Sequence, residues 1–100
     1  MTPLEFQNAI NSTDVYLLDV RKPDEFATGH IKNAHNLDVL EPNFETEAKK
    51  TLPSDKTIAV YCGTGRRSAM AAEKLVNEGF KVINLDGGIT AWKEVGLPLV

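Results

Sequence analysis

Cysteine occurs once in these 100 residues, at Cys62, so no internal disulfide can hold the fold together. The same scarcity argues against zinc, because Cys62, His30 and His35 lack metal-ligand spacing and are too few for a four-coordinate site. No apolar run approaches the roughly 18 residues that a bilayer-crossing helix requires. Positive charge is not in surplus either: the formal net charge is −3, which excludes nucleic acid and anionic membrane as bulk partners. The opening segment "MTPLEFQNAI" has no basic region followed by an apolar core, so it does not read as a leader. A cytoplasmic chain is expected, with the periplasm open to a mature chain whose leader had been removed. Repeats, low-complexity segments and polar linkers are missing too. One domain over residues 1–100 is expected, and nothing in the chain suggests an obligate partner, so a monomer is expected.

What is present is an alternation of strand and helix signals. "TPLEFQNAIN" reads as a helix capped by Thr2, with Pro3 in its first position and Glu5 completing a capping box. "VYLLDV" (15–20) is a nearly continuous apolar run, as in a strand buried on both faces. "PDEFATGH" gives one or two helical turns, where Pro23, Asp24 and Glu25 suit the first turn and Gly29 the stop. "AHNLD" is a short strand candidate, and "EPNFETEAKKTL" is a helix acidic early and basic late. "TIAVYC" (57–62) is the clearest strand. "RRSAMAAEKLVNEGF" is the clearest helix, with Ala69, Ala72, Leu75 and Val76 read as its apolar face and Gly79 as its stop. "KVINLD" and "GITAWKEVG" add a last strand and a last short helix.

This order predicts an α/β fold: a parallel sheet of four to five strands, right-handed crossovers, and helices on both faces. Ligands in such sheets bind beyond the carboxyl ends of the strands. Those ends fall after Val20, Tyr61 and Leu85, and the second carries the most unusual residues.

There "VYCGTGRRSA" (60–69) places the thiol between a strand and a helix, with two glycines and two arginines beside it. The N–H groups of Gly63, Thr64, Gly65 and Arg66 would have no intrahelical partners and would form an anion cradle. Gly63 and Gly65 let that loop curl tightly. If the thiol pKa fell from about 8.5 to about 6, the thiolate fraction at pH 7 would rise from roughly 3% to roughly 90%. Arg66 and Arg67 oppose the helix dipole, which an anion at the helix start would relieve. A lone strand-end cysteine is more often a small buried hydrophobe. The whole context of strand, Gly-x-Gly, paired arginines and helix favours a reactive thiol.

"CGTGRRS" resembles the active-site loop of the rhodanese family of sulfurtransferases, with Cys62, Gly65 and Arg67 at the places of its Cys-x-x-Gly-x-Arg pattern. "LLDVRKPDEFATGHIKNAHNL" (17–37) and "LDGGITAW" (85–92) resemble two further family segments, in the family's order. The resemblance implies five strands in the order 1-5-4-2-3. Because the chain begins almost at its first helix, the first edge strand is expected to be short or absent.

The resemblance also implies a relay. Cys62 takes sulfur from a small anionic donor such as thiosulfate, holds it as a persulfide, and yields it to cyanide or to a small-molecule or protein thiol. Gly63, Thr64, Gly65, Arg66 and Arg67 would bind the persulfide and the donor, while Asp19 and Arg21 would support the loops by ion pairing. No metal or organic cofactor is implied. Two other readings stay open. Cysteine phosphatases and arsenate reductases carry Cys-x5-Arg, one residue longer than the four between Cys62 and Arg67 here. A non-catalytic or sulfur-carrying binding module would look the same in sequence. Glu25 reads as a helix-dipole residue, His30 and His35 as structural, Gly87 and Gly88 as a tight turn near the active face, and Trp92 as packing.

Overall fold

The computed structural model describes residues 1–100. Helix α1 (Pro3–Ile10) begins with the reciprocal cap its sequence encodes: the Glu5 N–H donates to Thr2 Oγ1 at 3.3 Å, and the Thr2 N–H donates to Glu5 Oε1 at 2.9 Å. Next in order come β1 (Val15–Asp19), α2 (Pro23–Thr28), β2 (His35–Asn36), α3 (Phe44–Thr51), β3 (Thr57–Tyr61), α4 (Arg66–Asn77), β4 (Val82–Asn84) and α5 (Gly88–Glu94). No helix is long and apolar enough to cross a membrane.

All strands pair in parallel in the order β2-β1-β3-β4, with Asp19 in register with Tyr61 across the central pair. The carboxyl ends of β1 and β3 therefore lie side by side. This is the expected family order without its first strand. In that strand's place, the Met1 ammonium donates to the Asn84 carbonyl at 2.8 Å and the Asp86 N–H donates to the Met1 carbonyl at 2.8 Å. Those two bonds form one rung of a parallel ladder beside β4.

Side-chain alternation along β1 and β3 divides the core in two. Leu18, Val20, Ile58, Val60 and Cys62 face Phe44, Ala48 and Leu52 around α3, and Ala71 and Leu75 of α4. Leu17, Ala59 and Tyr61 face Phe6 of α1, together with Ile89 and Trp92 of α5. Each large aliphatic side chain buried this way contributes roughly 1.5–3 kcal/mol. The buried face of α4 differs from the one read in the sequence. Ser68, Ala71 and Leu75 are buried with Ala72 partly so, whereas Ala69 and Val76 are exposed. The helix starts in a loop that turns its first residues toward Cys62, and this rotates the inward stripe to positions 68, 71, 72 and 75.

Tyr61 links the sheet to the segment after α2. Its hydroxyl accepts from the Ile31 N–H at 3.1 Å, and burial, helped by the Asp19 charge, pushes its pKa far above the ordinary tyrosine value. Removing the hydroxyl strands a buried N–H. Tyr61→Phe should therefore lose about 1–3 kcal/mol of stability, measured by denaturant unfolding. An unchanged midpoint would show that the bond carries no net energy.

Candidate active site

Cys62 continues β3 by one residue and is only 1% exposed. The path of the loop beyond it is set by where the peptide carbonyls point. The Ile89 N–H, at the start of α5, donates to the Cys62 carbonyl at 2.9 Å. The Thr90 N–H and Oγ1 donate to the Gly63 carbonyl at 3.1 and 3.0 Å. A trans peptide holds its N–H opposite its C=O, so anchoring the carbonyls on α5 turns the following amides the other way. The chain then folds over the sulfur, and the Gly65 N–H donates to Cys62 Sγ at 3.0 Å.

Burial by itself pushes the Cys62 thiol up. The Ser68 hydroxyl and the Ser68, Gly65 and Thr64 N–H groups outweigh it and bring the thiol below its ordinary value. The Ser68 side chain is wholly buried, and its hydroxyl also reaches the Gly65 carbonyl at 3.2 Å. Having one proton to give, that hydroxyl serves the sulfur best when the sulfur is an anion.

Two glycines make this packing possible. Gly65 has φ +106°, in the left-handed region that a side chain resists. At Gly88, an added methyl would lie 2.5 Å from the Cys62 carbonyl oxygen and 2.7 Å from the Gly63 carbonyl. The tight turn read at Gly87 and Gly88 is thus the contact surface between α5 and the cysteine loop.

The charged residues sort themselves by partner. Arg67 is bidentate to Glu25, with Nη1 to Oε1 at 2.5 Å and Nη2 to Oε2 at 3.0 Å. Arg66 is exposed and forms no ion pair. Asp19 is fully buried and is gripped by Arg21, whose Nη2 donates to it at 2.7 Å and to the Gly29 carbonyl at 2.6 Å. The Asn36 amide donates to the carbonyls of Asp19 and Arg21 at 3.0 and 2.9 Å, tying β2 to the same corner. His30 stacks on Phe26 at 3.8 Å and His35 on Tyr16 at 4.3 Å. Trp92 is buried and donates its Nε1–H to the Pro98 carbonyl at 2.9 Å.

The structure thus brings Cys62, Gly63, Thr64, Gly65 and Arg67 into one cradle and leaves Arg66 on its outer side. Asp19 and Arg21 form their pair at the end of the adjacent strand. Sequence reasoning missed Ser68, Thr90 and the second role of Glu25. A serine immediately after the arginine was the available signal for the first; the other two depend on contacts across the fold. None of the three surface cavities is lined by Cys62.

Gly88→Ala should displace the carbonyl anchors of the loop. Its expected effects are a stability loss of about 1–3 kcal/mol from backbone strain and a Cys62 that reacts slowly with iodoacetamide at neutral pH. Wild-type stability and alkylation rate would mean that the loop does not rely on this close approach.

The chain also matches known proteins along nearly its whole length. A model of the rhodanese-like domain matches residues 2–95. A sulfurtransferase from Allochromatium vinosum is 40% identical over 96 residues, covering 94% of this chain and 86% of that protein. The thiosulfate sulfurtransferase GlpE of Vibrio cholerae is 35% identical over 94 residues, covering 93% and 86%. The crystal structure of a rhodanese-related protein from Thermoplasma volcanium superposes with a TM-score of 0.87 at 36% identity, covering all of this chain and 95% of that one. With the cysteine cradle at the end of a central parallel strand, these matches place the chain in the rhodanese-like domain family.

Proposed function

We propose that the protein is a sulfurtransferase that carries sulfane sulfur as a persulfide on Cys62. The observation that bears most weight is the 3.0 Å hydrogen bond from the Gly65 N–H to the sulfur itself. Donors aimed at Sγ stabilise the thiolate, which is both the form that attacks the donor and the form released when the acceptor takes the outer sulfur. The Cys62 thiolate attacks the outer sulfur of a small anionic donor such as thiosulfate. The donor S–S bond breaks with its electron pair going to sulfite, and a cysteine persulfide anion remains. A nucleophile, either cyanide or a small-molecule or protein thiol, then attacks the outer sulfur, and the electron pair of that S–S bond returns to Cys62. No step requires a redox partner, because sulfur moves with its electrons accounted for. Asp19 and Arg21 act by holding the loop beside β1.

A loop with four residues between Cys62 and Arg67 supports sulfur over phosphate. Its amides close on Sγ, whereas phosphate chemistry needs a wider ring of donors around a tetrahedral oxyanion.

Intact mass spectrometry after thiosulfate treatment should show a gain of one sulfur atom, removed by cyanide and absent in Cys62→Ser. A wild-type chain that gains no sulfur from any sulfane-sulfur donor would overturn the relay and favour a binding module.

The pH dependence of alkylation gives an independent check. The iodoacetamide rate should reach half its plateau below the free-thiol value of about 8.5. Ser68→Ala removes a donor to the thiolate and should raise that midpoint by roughly half a unit to one unit. A midpoint unmoved by Ser68→Ala would remove the hydroxyl from the site.

A further inference from the structure

The Glu25–Arg67 pair changes the charge that a sulfur donor meets. Both terminal nitrogens of Arg67 are engaged by the two oxygens of Glu25. The side chains are 24% and 36% exposed, so solvent screens the pair only in part. Glu25 cannot easily swing away, because its Oε1 also accepts from the Lys22 N–H at 3.2 Å. The Arg67 hydrogen bonds hold its carboxyl down at about 2 against the opposing effect of burial, so it is ionised throughout the working pH range. The pair also lies at the rim of the cradle, since a methyl on Gly63 would sit 3.3 Å from Arg67 Nη2. Arg66 is the one loop cation without a carboxylate partner.

We propose that Glu25 is a specificity-determining residue: by cancelling the Arg67 charge beside Cys62, it biases the site toward monoanionic sulfane donors and against dianions such as thiosulfate. This rests on the reading of Cys62 as a persulfide-forming nucleophile. Arg66 lies on the outer side of the loop, so the cation at the rim of the cradle is Arg67, whose charge Glu25 already offsets. The extra charge of a dianion therefore gains little from that guanidinium and meets the Glu25 carboxylate behind it. With a monoanion such as methanethiosulfonate, the thiolate attacks the sulfane sulfur, the S–S bond breaks, and methanesulfinate leaves with the electron pair. Both donors therefore give the same persulfide and differ in charge.

The experiment compares kcat/KM for thiosulfate and for methanethiosulfonate, with cyanide as acceptor, in wild type, Glu25→Gln and Glu25→Asp. Glu25→Gln keeps an oxygen for Arg67 and removes the charge. It should raise the thiosulfate-to-methanethiosulfonate ratio by about three-fold, mainly through a lower KM for thiosulfate. Glu25→Asp keeps the charge and should keep the wild-type ratio even if both rates fall. The gain in Glu25→Gln should shrink at high salt. Glu25→Ala removes the charge without the amide and should move the ratio in the same direction. The proposal is overturned by an unchanged ratio in both neutral variants, or by an equal rise in Glu25→Asp, either of which would make Glu25 a purely structural clamp. A wild-type chain that forms no persulfide with either donor would instead sink the function itself, and the proposal with it.

Discussion

A peptide group has two polar ends, and the cradle around Cys62 exists because the outward ends are satisfied. Amides can converge on a sulfur only if the carbonyls behind them find donors elsewhere. Here those donors are the first amides of α5, which bind the carbonyls of Cys62 and Gly63. Left unpaired in a buried place, each carbonyl would cost about 1–3 kcal/mol, enough to turn the loop over. Strand order makes the solution available, since β4 pairs with β3 and delivers the start of α5 beside the end of β3. Gly88 then allows the two backbones to touch.

The neighbouring strand contributes a second restraint of a different kind. Asp19 and Arg21 are both buried, and a buried ion pair is weak evidence of added stability because desolvation offsets the attraction. Its geometric effect is clearer. Arg21 lies just before α2 and also binds the carbonyl of Gly29, which immediately follows that helix, so one guanidinium closes both of its ends. Glu25 sits between those fixed ends. Its carboxylate is therefore presented to Arg67 by a segment with little freedom to move.

Much of this arrangement was legible in the sequence because it is local. The apolar runs at 15–20 and 57–62, the capping box at Thr2 and the strand–glycine–helix order around Cys62 all depend on neighbours along the chain. The Glu25–Arg67 pair spans 42 positions and has no periodic signature, so Glu25 read only as a helix-dipole residue. Thr90 carries no sequence signal for the same reason, being 27 positions from the carbonyl it binds. The face of α4 is hard to read in sequence because alanine is a poor reporter of direction. Ala69 and Ala71 are alike in hydropathy, and the buried Ser68 that distinguishes the two phases looks polar until the sulfur beside it is considered.

Burial of the sulfur has a consequence for reach. With Cys62 almost wholly covered, its sulfur is open only to a reagent small enough or slender enough to enter end-on. In the proposed relay the stored sulfur sits one S–S bond farther out, about 2.05 Å beyond Sγ. The charged state would then present its reactive atom nearer the surface than the empty state does. A bulky thiol could collect cargo from a site that it could not itself have loaded, and the direction of traffic would follow from depth as well as from chemistry.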